Sequence, residues 1–243
     1  MRCRHLGSSE IDSWRDQIVI AAGNLIALDF GAAHPRSGSP LPVVVVVCDD
    51  SRTAPAYFDL LKRAVKQHVT LNIPRVGCQG GSPATVLDRA IAEHEKLRDD
   101  GGDRDAVWAL IDMERDPACQ RRAVDAKKKG EQRGIKVALS DPCYEVWTLL
   151  HLEDTGRQFN DCGQVLDRVK QLWQQQFGQQ FDQKAQADYS KIVPLRHEAA
   201  ARAKRHYEAE DQSRTEVYKI IECIEPEGNR GQAERGGASD LSV

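Results

Sequence analysis

Two groups of carboxylates stand where a chain could hold a divalent cation. Asp49 and Asp50 follow the run Val43 to Cys48, and Asp112, Glu114 and Asp116 follow the apolar segment Ala106 to Ile111. Carboxylates brought together repel one another, and a cation relieves that repulsion. Oxygen-only ligands favour Mg2+ or Mn2+ over zinc, and Mg2+ is usually held by one or two carboxylates with substrate phosphate beside them. The chemistry this suits is metal-assisted phosphoryl transfer, in which a metal-activated water attacks a phosphate. Acidic residues also end strands simply because loops are solvated, and Asp caps helices, so a structural reading stays open beside the chemical one.

A third carboxylate, Glu145, stands near the start of Ser140 to Glu153. In that segment Cys143, Val146, Trp147 and Leu150 form one stripe and Leu149 and Leu152 lie on the other side. A helix apolar nearly all round is a buried helix. A carboxylate within it needs a metal, a cation or backbone N–H groups as partner. His151 reads more readily as a packed histidine than as a catalytic one.

The elements that must position these groups alternate. Val43 to Val47 is β-branched throughout and does not alternate with polar residues, the mark of a strand buried on both faces. A helix follows, with Thr53 as N-cap, Pro55 in its first turn and Tyr57, Leu60, Leu61, Ala64 and Val65 at helical spacing. Val69 to Val76 reads as a second strand, with Pro74 marking an edge or an end. Ser82 and Pro83 open the next helix. Ala106 to Ile111 is a third strand, followed by a basic helix to about Arg133, with Gly134 as its C-terminal cap. Ile135 to Leu139 is a fourth strand, and Ser140-Asp141-Pro142 opens the helix that carries Glu145. The βαβαβαβα order argues for a three-layer α/β fold with a mostly parallel four-stranded sheet. After Glu153 strand signals vanish, and helices are expected over roughly 163–177, 184–191, 195–211 and 214–224. The expected division is an N-terminal appendage over 1–42, an α/β core over 43–155, a C-terminal helical part over 156–225 and a disordered tail over 226–243.

Composition narrows the function classes. The formal net charge of −3 excludes a generally basic coat for nucleic acid, though not a local basic groove. Arg121, Arg122, Lys127, Lys128 and Lys129 make the helix after the third strand basic, and Arg196, Arg202, Lys204, Arg205 and His206 do the same further on. Either strip could face a phosphate backbone or simply water. The loop Gly77 to Ser82 could cradle a phosphate but lacks the Walker A lysine pattern. The seven cysteines contain no C-x-x-C pair, and the closest two, Cys143 and Cys162, are 19 positions apart. Reduced thiols in a cytoplasmic protein are expected. The longest apolar run, Val43 to Cys48, is far too short to span a bilayer, and no secretory leader is read near Met1.

Several of these stretches resemble one family. Val47 to Phe58, which reads V-C-D-D-S-R-T-A-P-A-Y-F, is similar to the first motif of RloB-like proteins, approximately V-x-E-G-x-x-T-E-P-x-Y-F. Val107 to Asp116 resembles the family's D-x-D strand end. Ser140 to His151 resembles its most distinctive motif, S-N-P-C-F-E-x-W-L-L-L-H. Arg214 to Tyr218 resembles a C-terminal S-T-x-V-like element. The resemblance spans about residues 43–225 and implies a Toprim-like α/β/α fold with C-terminal helices. It further implies a Mg2+-dependent (or Mn2+-dependent) endonuclease, acting on DNA or RNA, tRNA among them, in bacterial anti-phage defence beside an ABC-type ATPase partner. Carried over by position, Asp49, Asp112, Glu114 and Glu145 are the expected catalytic residues. Asp49, Asp112 and Glu114 are the expected metal ligands, supported by Asp116. Arg52, Arg121, Lys127 and Lys128 are expected to contact nucleic acid. The chain departs from the family at Asp49, where glutamate is usual, at Asp50, where glycine is usual, and at Ala54, where an acid is usual. Asp for Glu shortens reach by one methylene, about 1.5 Å, and misplacement of about 1 Å can cost about 100-fold in rate. The alternative function is therefore a catalytically impaired interaction module coupled to the ATPase.

Overall fold

The computed structural model of the chain describes residues 41–49, 53–74, 81–98, 105–183 and 186–226. Apart from Leu41, Pro42 and Pro226, the appendage expected over 1–42 and the tail expected over 226–243 lie outside the described residues. So do Asp50, Arg52 and most of the Gly77 to Ser82 loop.

The all-valine run forms β1 (Val43–Cys48), and each residue from Val44 onward is buried. Helix α1 (Thr53–Val65) returns the chain to the short strand β2 (Thr70–Asn72), and α2 (Pro83–Arg98) leads to β3 (Ala106–Asp112). Helix α3 (Pro117–Glu131) precedes β4 (Lys136–Asp141). Then come α4 (Glu145–Leu152), α5 (Cys162–Phe177), α6 (Gln186–Ile192), a 3-10 turn at Val193–Leu195, α7 (Arg196–Glu208), β5 (Arg214–Thr215) and α8 (Val217–Ile224).

The sheet order is β2-β1-β3-β4-β5. The first four strands pair in parallel, and β5 is antiparallel to β4. The sheet thus has five strands rather than the expected four. The added one escapes sequence reading because two residues are too few for any periodicity to register. Pairing with β5 also carries β4 two residues past its expected end: Ser140 faces Thr215, Asp141 faces Arg214, and the Ser140 and Thr215 hydroxyls hydrogen-bond at 2.7 Å. The helix expected to open at Ser140 accordingly begins only at Glu145, after a cis Asp141–Pro142 peptide.

Successive strand residues point to opposite faces, and each face has its own core. Val45, Val47, Val107, Ala109 and Ile111 pack with residues of α2 and α3. Val44, Val46, Cys48, Trp108 and Leu110 pack with α1 and with side chains of the C-terminal helices. This is a three-layer, mostly parallel α/β arrangement. On the first face α3 lies so close to β4 that a Cβ on Gly130 would meet Val137 Cγ2 at 2.7 Å. Gly134, at φ +75°, makes the left-handed turn that releases the helix into β4. On the second face all eight residues of α4 are buried, Trp147 completely.

Two buried ionisable groups set how this packing responds to acid. His151 lies between the Tyr57 hydroxyl (3.2 Å) and the Trp147 carbonyl (2.8 Å), and burial pulls its pKa down to about 3. Glu216 opposes burial with hydrogen bonds from Lys127, Lys219 and the Leu139 amide, which hold its carboxyl below the ordinary range. Between about pH 3 and the ordinary histidine value of 6.5, the unfolded chain binds a proton that folded His151 refuses. Stability is therefore expected to fall as pH drops through that window, by up to ~1.4 kcal/mol per pH unit from this group. The Glu216 contribution is complete above the ordinary glutamate range and is lost as pH falls below it. Urea denaturation at several pH values should show a shallower decline for His151→Gln than for the wild type; equal slopes would contradict a buried neutral histidine.

Candidate metal centre

In an open parallel sheet, ligands bind outside the carboxyl ends of the strands where the strand order reverses. Here the chain moves outward from β1 to β2, then returns across β1 to place β3 on its other side. The reversal therefore lies between β1 and β3. Asp49 directly follows β1 and Asp112 is the last residue of β3, so both carboxylates stand at this point. They are tied together: Asp49 Oδ2 accepts a hydrogen bond from the Asp112 amide at 3.0 Å. Asp49 is further anchored through its backbone, its amide donating to Leu110 and its carbonyl accepting from Gly81 at 2.7 Å. Both aspartates are half-buried.

The other expected ligands have partners of their own. Glu114 sits at φ +52°, exposed, and its carboxylate lies against the Cys119 thiol, whose pKa it pushes up. Its amide donates to the Pro142 carbonyl at 2.8 Å, which links the end of β3 to the loop after β4. Asp116 is the N-cap of α3: one oxygen accepts from the Ala118 and Cys119 amides, each at 2.9 Å. Those amides hold its carboxyl below the usual range. Asp116, expected as a supporting metal ligand, thus serves as a helix cap through that oxygen, with Pro117 following at the first helical position.

Glu145 begins α4 and is nearly fully buried. The sequence requires a partner for it, and Gln183 Nε2 donates to its Oε1 at 2.8 Å. It also meets two thiols: the sulfurs of Cys143 and Cys162 and a Glu145 oxygen all lie within 4.8 Å of one another. A hydrogen bond with Cys162, burial, and the nearby charges of Glu145 and Asp112 push the Cys143 thiol well up. Cys162 is invisible to spacing rules because it reaches this place from the far side of a loop.

Of the expected nucleic-acid contacts, Arg121 and Lys128 are exposed on α3. Lys127 is instead engaged with the buried Glu216, its Nζ donating to both oxygens at 2.7 and 2.8 Å. Lys127, expected as a phosphate contact, is here the partner of a buried charge. Arg52 lies outside the described residues. Arg115, which sequence reading passed over, ties four segments together. It donates to the carbonyls of Phe159 and Gln212 and to the Ser213 hydroxyl, and it pairs with Asp141 at 3.2 Å. Nothing in its spacing marks it, since all its partners are remote.

The chain belongs to the RloB-like protein family, whose profile matches residues 44–224. No curated protein and no solved structure matches it. No helix among the described residues is long and apolar enough to cross a membrane. The assignment of Asp116 to capping has a direct check. Asp116→Ala should lower the thermal midpoint and Asp116→Ser should restore most of it, because a neutral hydroxyl caps a helix about as well as a carboxylate but binds Mg2+ far more weakly. A Mn2+ affinity that falls in Asp116→Ala would contradict the assignment.

Proposed function

We propose that this RloB-like chain is a Toprim-like, Mg2+-dependent endonuclease acting in bacterial anti-phage defence. The observation that carries the reading is the meeting of Asp49 and Asp112 at the point where the sheet order reverses. Two carboxylates on adjacent parallel strands suit a hard cation that completes its shell with water and substrate phosphate. When bound, such a cation offsets charge on the scissile phosphate and makes a water acidic enough to attack it. Asp112, on a strand buried up to its last residue, fixes where the cation stands. The Asp112 amide in turn orients the Asp49 carboxylate. Arg121 and Lys128 on α3 supply positive charge for a nucleic-acid backbone, DNA or RNA, and tRNA is one candidate. Family resemblance supports the defence role and the pairing with an ABC-type ATPase.

One observation favours the second reading, an interaction module of that ATPase. Asp49 is shorter than the family's glutamate, and one of its oxygens already accepts the Asp112 amide. The purified chain, alone and with the ATPase, should be incubated with Mg2+ or Mn2+ and labelled tRNA, single-stranded DNA and plasmid. Cleavage that chelator abolishes and Asp112→Asn lowers at least about 100-fold is expected, since even residues behind the ligands cost about 10–100-fold. Asp49→Glu, which restores the family residue, should raise the rate. Cleavage indifferent to Asp112→Asn would sink the nuclease reading. A chain inert in every form, Asp49→Glu included, would establish the interaction module in its place.

A further inference from the structure

The thiols that read in sequence as scattered are not scattered in space. Cys143 lies in the loop between β4 and α4, Glu145 begins α4 and Cys162 begins α5, and their sulfur and oxygen atoms lie within 4.8 Å of one another. We infer that Cys143, Cys162 and Glu145 form a second cation site, for a thiophilic divalent metal of the zinc class, beside the oxygen-only crevice.

The donor set decides the metal. Two sulfurs and a carboxylate oxygen suit Zn2+ or Co2+, and Mg2+ does not take thiolate ligands. The geometry is close to what such an ion imposes. With Zn–S near 2.3 Å and Zn–O near 2.0 Å, a tetrahedral site sets these ligand atoms about 3.5–3.8 Å apart. The 4.8 Å limit of the observed spacing closes to that by a contraction of about 1–1.3 Å at most, within reach of side-chain rotation. The carboxylate already has outer support from Gln183, at 2.8 Å, of the kind that orients metal ligands.

Electrostatics points the same way. Two thiols and a carboxylate share a largely buried volume, with the Asp112 charge also felt at Cys143. A cation placed among these donors would turn each of them into a ligand. Both Glu145 and Cys162 stand at helix starts, where negative charge is favoured. Cys143 and Glu145 are buried while Cys162 is partly exposed, which gives an ion a way in. Three protein ligands leave a fourth position open, as in zinc sites that bind water or substrate rather than in closed structural ones.

The inference stands apart from the nuclease reading, because its readout is a metal spectrum and not cleavage. The reduced full-length chain, stripped of metal with chelator, is titrated with Co2+. One thiolate-bound Co2+ per chain is expected, counted by the thiolate-to-cobalt charge-transfer absorption in the near ultraviolet. Equimolar Zn2+ should displace it and a large excess of Mg2+ should not. Cys162→Ser, a substitution at a partly exposed position, should weaken binding at least about 100-fold and remove most of that absorption. Glu145→Gln should weaken binding about 10-fold or more while the charge-transfer band persists. Cys223→Ser should change nothing. Absence of the band at stoichiometric Co2+, or an undiminished band in a folded Cys162→Ser chain, would overturn the inference. So would a Cys143–Cys162 disulfide recovered on mild oxidation of a chain that binds no Co2+ when reduced.

Discussion

The parallel pairing of β1 with β3 is the constraint on which the rest depends. These strands are not neighbours in the chain, since β2 comes between them and is placed on the outer edge. Their pairing turns two unremarkable strand ends into one crevice, and it sets Val44 to Cys48 against Ala106 to Leu110 in fixed register. That register puts the Asp112 amide against the Asp49 carboxylate. A slip by one residue would turn every side chain of the strand to the opposite face and separate the two cores that hold the sheet.

Behind the crevice, the structure spends its buried polar groups on fastening loops. Glu216 joins α3, β4 and α8 through Lys127, Lys219 and the Leu139 backbone, and its own amide returns a hydrogen bond to the Leu139 carbonyl. Arg115, just after β3, gathers the end of β4 and the segments after α4 and α7. Both hold the end of β4 in place, and the loop that follows carries Cys143 and leads into Glu145. The aromatic packing of Tyr57 against Trp147 and His151 fixes α4 from the other side. A site held by a buried helix and by bonds to remote backbone is positioned before any ligand arrives.

Much of this was legible in the sequence. The unbroken valine run, the four βα alternations and the apolar circumference of α4 led to a parallel sheet with a buried helix, and both are present. Asp49 and Asp112 were legible as a pair because strand ends in such sheets converge. What failed to read shares one cause: dependence on long-range partners. The strand β5 exists because Arg214 and Thr215 meet Asp141 and Ser140, and the helix start at Glu145 follows from that pairing. Asp116 reads as a ligand in the sequence, and its cap role shows only in which amides face it. Lys127 looked like part of a solvated basic face, yet a buried glutamate far along the chain claims it. Cys143 and Cys162 read as unrelated thiols because only the fold brings α5 to the start of α4.

The nuclease reading requires Asp49 and Asp112 to hold a hard divalent cation at the reversal point of the sheet. Calorimetric titration of the reduced chain with Mn2+, with thiophilic metal excluded by prior chelation, tests it most directly. Saturable binding by the wild type that disappears in a folded Asp112→Ala chain and survives in Cys162→Ser is the predicted result. Identical Mn2+ binding by the wild type and Asp112→Ala would contradict the account.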